Sequence, residues 1–317
     1  MSTMILRELK EVFNNDDFIK CNIKQEESLS SHTTMNVGGK AELFFEPETV
    51  EILVNLVKFL QEKKVQFYVL GGGSNLIIND SGIKVVISTR KLRIKDPIYE
   101  ESELSEDSVS LNISSGISWG RVISFCKKNN YSNFEAFTGL SGTVGGAIYM
   151  NATCFGLSTC DNLISVKYLD VDELKICEYM VEHSDWGYKK SPFKDGVAGK
   201  KIIIAGTFKV KKGHFDSDFS DRVLTERKAK GHFRYPSAGS VFKNDIEKEI
   251  IAGKIIEECG LKGFKIGGAE VASFHGNFII NPERKASAKD IKSLVDYIKD
   301  VVKKKKNIIL ENEIIFI

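Results

Sequence analysis

Helix-like and strand-like segments interleave along this chain of 317 residues, and two glycine-rich loops interrupt the apolar strands. The length exceeds one ordinary core, so the pattern predicts a mixed α and β protein of two or three domains.

The first helix reads from Pro47 to Lys64. Ile52, Leu53, Leu56, Val57 and Leu60 recur at helical spacing, and Thr49 stands where a cap belongs. A short apolar strand, 67–70, runs into Gly71-Gly72-Gly73-Ser74-Asn75. Strands follow at 76–78 and 85–87, separated by the turn signal Asn79-Asp80-Ser81-Gly82. The polar stretch 92–107, which holds a proline, reads as the passage to a second unit. That unit has a strand at 109–114, a helix at about 119–128 and the loop Gly139-Leu140-Ser141-Gly142-Thr143-Val144-Gly145-Gly146. Strands around 164–169 and 201–210 close it. The charged segment 211–230 is expected to be a linker or a helical bridge.

The third unit opens with YPSAGSVFKN and continues with a helix 250–259 that Gly260 stops. Strands are predicted at Val271 and 278–280. Ser287 and Asp290 then open the strongest helix, with Ile291, Leu294, Val295, Ile298, Val301 and Val302 on one face. The run Lys303 to Lys306 ends that helix, where cations complement the dipole. Residues 307–317 read as a terminal apolar strand. The expected domains are 1–92, 93–212 and 213–317.

Lysine and arginine number 45 against 43 acidic residues, a net charge of +2, which argues against a dedicated nucleic-acid binder. No apolar run approaches the ~18 residues of a membrane span. The first segment, MSTMILRELKEVFNNDD, has no signal-peptide core, so a cytoplasmic protein is expected. Six cysteines without a paired spacing fit free thiols, and no metal-ligand set is expected.

The glycine loops are the first clue to chemistry. Glycine removes side chains and permits positive φ, so successive N–H groups can converge on an anion. Neither loop has the spacing of a dinucleotide fold or of a P-loop. Each is also compatible with a tight turn beside close-packed strands. Two such loops in adjacent units suit a ligand with a pyrophosphate lying across both, and FAD is of that size.

Ser240 is the second clue. Small residues precede it, and Lys243 and Asn244 follow at three and four positions. No nucleophile elbow surrounds it, and none of the five histidines is spaced as its base, which argues against a hydrolase triad. On the local sequence alone, a turn serine bonded to its own backbone is the more ordinary reading.

From about Ser31 onward the chain resembles bacterial UDP-N-acetylenolpyruvoylglucosamine reductases. The matching segments stand in the family's order: TTMNVGGKAELFFEP (33–47), VLGGGSNLIINDSG (69–82), GLSGTVGGAIYMNA (139–152), GYKKSPF (187–193), YPSAGSVFKN (235–244), GLKGFKIGGAEVASFHGNFIIN (260–281) and LENEI (310–314). The chain looks like the shorter subclass, without the extra substrate-covering insertion.

The resemblance implies an α+β protein of three domains. Domains 1 and 2 would form an FAD-binding fold of the vanillyl-alcohol-oxidase (PCMH) type, and an α+β substrate-binding domain would follow. It implies non-covalent FAD contacted by Gly71, Gly72, Gly73, Ser74, Asn75, Leu76, Ser141, Gly142, Thr143, Gly145, Gly146 and Ala147, with Asn151 and Gly156 beside them. NADPH would reduce the flavin, and hydride would pass from flavin N5 to the vinyl carbon of the enolpyruvyl ether. The adjacent carbanion is basic enough to take a proton from a plain serine, so Ser240 matches the proton donor and needs no base. Glu313 matches the catalytic glutamate, expected to polarise the substrate carboxylate or enolate. Lys189 stands where the family usually has arginine. It keeps the charge and loses the bidentate fork, and Lys190 is the other candidate for that role. Tyr188, Lys243 and Asn244 match substrate-binding positions. Leu140-Ser141, Gly231-His232, Asp245 and Ile315 also depart from the usual pattern. The expected partners are the UDP-sugar and NADPH, with no nucleic acid, no membrane insertion and a monomeric state. Another flavin oxidoreductase of the same fold, and a nucleotide-binding relative without catalysis, are the competing readings.

Overall fold

The computed structural model describes residues 2–93, 99–194, 200–245 and 248–317. The chain divides into two compact units. Unit 1 comprises Met1–Glu27, Glu42–Gly72 and Lys84–Leu224; unit 2 comprises Ser28–Ala41, Gly73–Ile83 and Thr225–Ile317. The architecture is α+β, as expected.

Unit 1 holds two hydrophobic cores. The first gathers Leu43 and Phe45, one face of the helix Val50–Glu62, and Ile5 and Leu9 from an amphipathic helix Ser2–Val12. The helix forms where its apolar spacing demands, and the Thr49 hydroxyl caps it by accepting from Ile52 N at 3.2 Å. Its neighbouring sheet has the order Lys24–Ser28, Lys40–Phe45, Ile83–Ser88, Tyr68–Leu70, the last two strands parallel.

The second core lies against a six-stranded antiparallel sheet. Its spine is the strand Lys201–Lys212, whose alternating burial reads clearly toward its end. Leu163–Asp170 and Ser108–Ser114 flank that strand, and the helix Trp119–Asn129 contributes Trp119, Val122 and Cys126 to the core. Two outer strands were not foreseen. Tyr99–Ser105 falls inside the polar stretch 92–107, and Lys175–Met180 pairs along the opposite edge. An edge strand facing water needs no apolar alternation, which hides it from a hydrophobicity pattern. Residues 94–98, including Pro97 of that stretch, lie outside the described residues.

The charged segment 211–230 contains a helix, Ser217–Ala229. In unit 2 the sheet order is Ser237–Ser240, Phe278–Ile280, Ala269–Val271, Lys265–Ile266. The helix Ala288–Lys306 buries Ile291, Leu294, Val295, Ile298 and Val302 in this unit's core. Ser287 and Asp290 make a reciprocal capping box at its start. At its end Lys305 Nζ donates to Cys259 O at 2.9 Å, and Lys306 pairs with Glu258 at 2.7 Å. The helix Ala252–Glu258 is shorter than expected and stops at Gly260, φ +74°.

The reading of 307–317 as one strand needs correction. Only Ile315–Phe316 is strand, paired in parallel with Leu76–Ile77. Residues 311–314 instead bond singly to the chain after Ser240, and those separated bonds do not make a regular ladder.

Candidate active site

The predicted site residues fall on both units, and each unit builds its own part. In unit 1 the two glycine loops meet backbone to backbone. A Cβ on Gly72 would stand 2.6 Å from Gly142 Cα, and one on Gly71 would stand 2.9 Å from Thr143 Oγ1. Only glycine allows that approach. The second loop is less of an anion cradle than its composition suggests. A bridge between Ser118 and Thr143 uses the N–H of Trp119 on Gly142 O and the N–H of Val144 on Ile117 O. Gly145 N donates to Ser115 O, Gly146 N to Thr143 Oγ1 and Ala147 N to Thr143 O. These last donors are spent on starting the helix Val144–Met150, with Thr143 as its cap.

One group beside this loop is left over. Ser115 is 1% exposed, and its Oγ has no hydrogen-bond partner among the described residues. Its Cβ lies 2.7 Å from where a Cβ on Gly145 would sit. A buried hydroxyl without a partner is costly in a dry interior, so a polar ligand atom is its natural complement. The bare backbone at Gly71–Gly72 and this hydroxyl fit a ligand rich in carbonyl and phosphate oxygens, such as FAD. Ser115 was not foreseen; the Ser114-Ser115-Gly116 run at the end of the strand Ser108–Ser114 was the available signal.

Asn151 ends that helix in the left-handed region, φ 42°. Both ends of its carboxamide are engaged within the chain, Oδ1 accepting from Cys160 N at 3.1 Å and Nδ2 donating to Gly187 O at 2.9 Å. Gly156 lies in the loop of a small hairpin between Thr153–Cys154 and Leu157–Ser158. Asn151 therefore ties the glycine helix to the turn 187–190, which carries Tyr188, Lys189 and Lys190. Lys190 N donates to Gly187 O at 3.1 Å, closing the turn. Lys189 occupies its third position at φ +56°, where glycine is usual. The Lys189 ammonium lies 5.4 Å from the centroid of the Tyr188 ring, and Lys190 is exposed.

In unit 2 the structure brings Ser240 and Glu313 to the same strand neighbourhood. Ser237 pairs with Ile280 and Ser240 with Phe278, so two residues oppose one between them. Gly239, φ +76°, makes that bulge possible. The bulge re-aims Ser240, which is half-buried. Its hydroxyl forms no hydrogen bond among the described residues, so it is not a turn serine bonded to its own backbone. The next residue, Val241, accepts at its carbonyl from Glu313 N at 2.8 Å. Asn75 of the first glycine loop donates from Nδ2 to Glu313 O at 3.0 Å, and Asn75 O accepts from Ile315 N. Gly73 O accepts from Thr34 N, so the later part of this loop is anchored within unit 2. Lys243 pairs with Glu311 at 3.2 Å, and Asn244 Oδ1 accepts from Ala252 N at 3.0 Å.

Comparison with known proteins bears on both parts. Residues 41–174 match the model of an FAD binding domain, and residues 231–317 match that of the UDP-N-acetylenolpyruvoylglucosamine reductase C-terminal domain. The reductase of that name from Treponema denticola is 38% identical over 294 residues, covering 90% of each chain. The chain belongs to the UDP-N-acetylenolpyruvoylglucosamine reductase family. The Fervidobacterium nodosum reductase is 34% identical over 99% of this chain and 97% of its own. The crystal structure of the reductase from Thermus caldophilus superposes with a TM-score of 0.71 at 28% identity, covering 91% of this chain and 97% of that one. The FAD-binding match spans the helix Val50–Glu62, both glycine loops and Ser115. The reductase C-terminal match spans Ser240 and Glu313. No helix of the described residues is long and apolar enough to cross a membrane.

Proposed function

We propose that this chain is the FAD-dependent enzyme that reduces the enolpyruvyl ether of UDP-N-acetylglucosamine enolpyruvate to UDP-N-acetylmuramate, a step of peptidoglycan precursor synthesis, with NADPH as the reductant and Ser240 as the proton donor. The observation that carries it is family membership over nine-tenths of the chain, joined to a serine that a bulge presents beside the segment bearing Glu313.

FAD held by the two glycine loops would, when reduced, supply the hydride for the vinyl carbon. The chain's own residues manage the neighbouring carbon, where the electron pair of the double bond is left. Ser240 gives its hydroxyl proton to that carbon, forming the new C–H bond, and regains a proton from solvent. Such a transfer needs no base on the serine because the carbanion itself is strongly basic. Glu313 sits one hydrogen bond away along the backbone and polarises the substrate carboxylate as negative charge builds there. Lys189 supplies a fixed cation for the same charge. Lys189 is favoured over Lys190 because its ammonium is held over Tyr188 while Lys190 is exposed to solvent. Tyr188, Lys243 and Asn244 are the proposed contacts to the UDP-sugar. Of the flavin set, the residues of the two loops and Ser115 hold the cofactor; Asn151 acts by fixing the turn that bears Lys189, and Gly156 stays on the sequence match alone.

The division into domains 1–92, 93–212 and 213–317 is part of this reading. A monomer working in the cytoplasm completes it. The deciding experiment is anaerobic. The purified protein should be yellow, bleach on adding NADPH and recover its colour on adding the enolpyruvyl sugar nucleotide. A colourless protein after FAD reconstitution, or bleaching with no recovery, would overturn the assignment.

A further inference from the structure

We propose that Asn277 is a positioning residue that sets Ser240 and Glu313 in register with each other; the inference rests on the roles given to those two residues above. The strand Ser237–Ser240 loses its regular partner just past Ser240, because Phe278–Ile280 begins opposite it. Asn277 continues the ladder with its side chain. Its backbone carbonyl accepts from Val241 N at 2.9 Å. Its Oδ1 accepts from Phe242 N at 2.9 Å, and its Nδ2 donates to Phe242 O at 2.8 Å. A carboxamide presents the same donor and acceptor as a peptide group, so it replaces one missing residue of the ladder.

On the other flank, Val241 O takes Glu313 N at 2.8 Å and Ile314 N at 3.4 Å, and Lys243 N donates to Glu311 O at 2.9 Å. The two peptides after Ser240 are thus held between Asn277 and the segment bearing Glu313. The ladder that Asn277 completes is dry: Val241 and Phe242 are each 1% exposed, and Asn277 is 4%. Its own placement is fixed too, since Asn277 N donates to His275 Nδ1 at 3.1 Å. Removing the carboxamide orphans both polar groups of Phe242 in a buried setting, and the strand shifts to satisfy them. Ser240 and Glu313 then lose their common frame while neither side chain is altered.

The test uses the FAD-loaded protein and two substitutions, Asn277→Ala and the isosteric Asn277→Asp, which keeps the volume and removes the donor. Bleaching by NADPH should keep its wild-type rate. The rate constant for reoxidation by the enolpyruvyl sugar, at saturating sugar, should fall roughly 10–100-fold, the scale expected of a misplacement near 1 Å. The sugar concentration giving half-maximal rate should change less than about threefold, as befits a loss confined to the chemical step. In the resting protein, amide hydrogen exchange at Phe242 and Glu313 should quicken in both variants, ahead of any change elsewhere in unit 2. Reoxidation and exchange matching wild type in a folded Asn277→Asp variant would overturn the proposal. Ser240→Ala, measured in parallel, separates the two levels. If that variant reoxidises normally, the donor assignment itself is wrong; if it is slow while both Asn277 variants are normal, only the positioning role fails.

Discussion

Ser240 and Lys189 show how far one side chain can set a reaction. Ser240 has no base within the described hydrogen bonds, and a proton donor to a carbanion needs none. Ser240→Ala should therefore leave NADPH bleaching intact and slow reoxidation by the sugar by several orders of magnitude, read by stopped-flow absorbance. An unchanged reoxidation rate would rule the serine out as donor. Lys189 is a sharper case because its backbone is strained, at φ +56°. Arginine there suffers the same left-handed conformation as lysine, so Lys189→Arg changes the head group and leaves the backbone strain as it was. The variant is expected to hold or raise the reoxidation rate, since the forked guanidinium meets a carboxylate with two bonds where an ammonium offers a point charge. A large loss would mean that the surroundings have been rebuilt around lysine.

At the scale of elements, the bulge before Ser240 makes its own prediction. A Cβ on Gly239 would meet nothing within 4 Å, yet the residue stands at φ +76°. Gly239→Ala should therefore destabilise through backbone conformation alone, by about 1–2 kcal/mol, and should slow reoxidation by turning Ser240. A thermal midpoint equal to wild type would show that the bulge tolerates an L side chain. The glycine was legible in the sequence; the bulge was not, because it arises from pairing with Phe278–Ile280, a strand distant in the chain. The same division holds elsewhere. Helices with an apolar stripe and a cap, at Thr49 and at Ser287, were readable because the signal is local. The strands Tyr99–Ser105 and Lys175–Met180 were not, since edge strands carry polar residues. In the site, Ser240, Glu313 and the glycine loops came from motif order. Ser115, Asn277 and the tie from Asn75 to Glu313 depend on who faces whom across the fold, and no local spacing records that.

At the scale of the whole molecule, a pair of rings in unit 2 contributes to the dependence of stability on pH. His232 stands 4.7 Å from Phe278 and 6.4 Å from His275, centroid to centroid. Burial, joined by the charges of Arg227, His275 and Lys230 against a weaker pull from Glu226, pushes the His232 imidazole down to about 4. Burial lowers His275 as well. In the unfolded chain such a ring takes up its proton near pH 6.5. Between those two values the unfolded state binds the extra proton and the native state does not, so stability is fully present above about 6.5 and drains away as pH falls toward 4. Below 4 both states are protonated and the loss levels off. With screening of a partly exposed ring allowed for, the His232 share is on the order of 1–2 kcal/mol. His232→Phe keeps an aromatic ring against Phe278 and cannot titrate. Its thermal midpoint, followed from pH 7.5 to 4.5, should fall less steeply than that of wild type, with His275 accounting for part of the slope that remains. Parallel curves for the two proteins would mean that the His232 ring is protonated in the native state and that its burial does not oppose the charge.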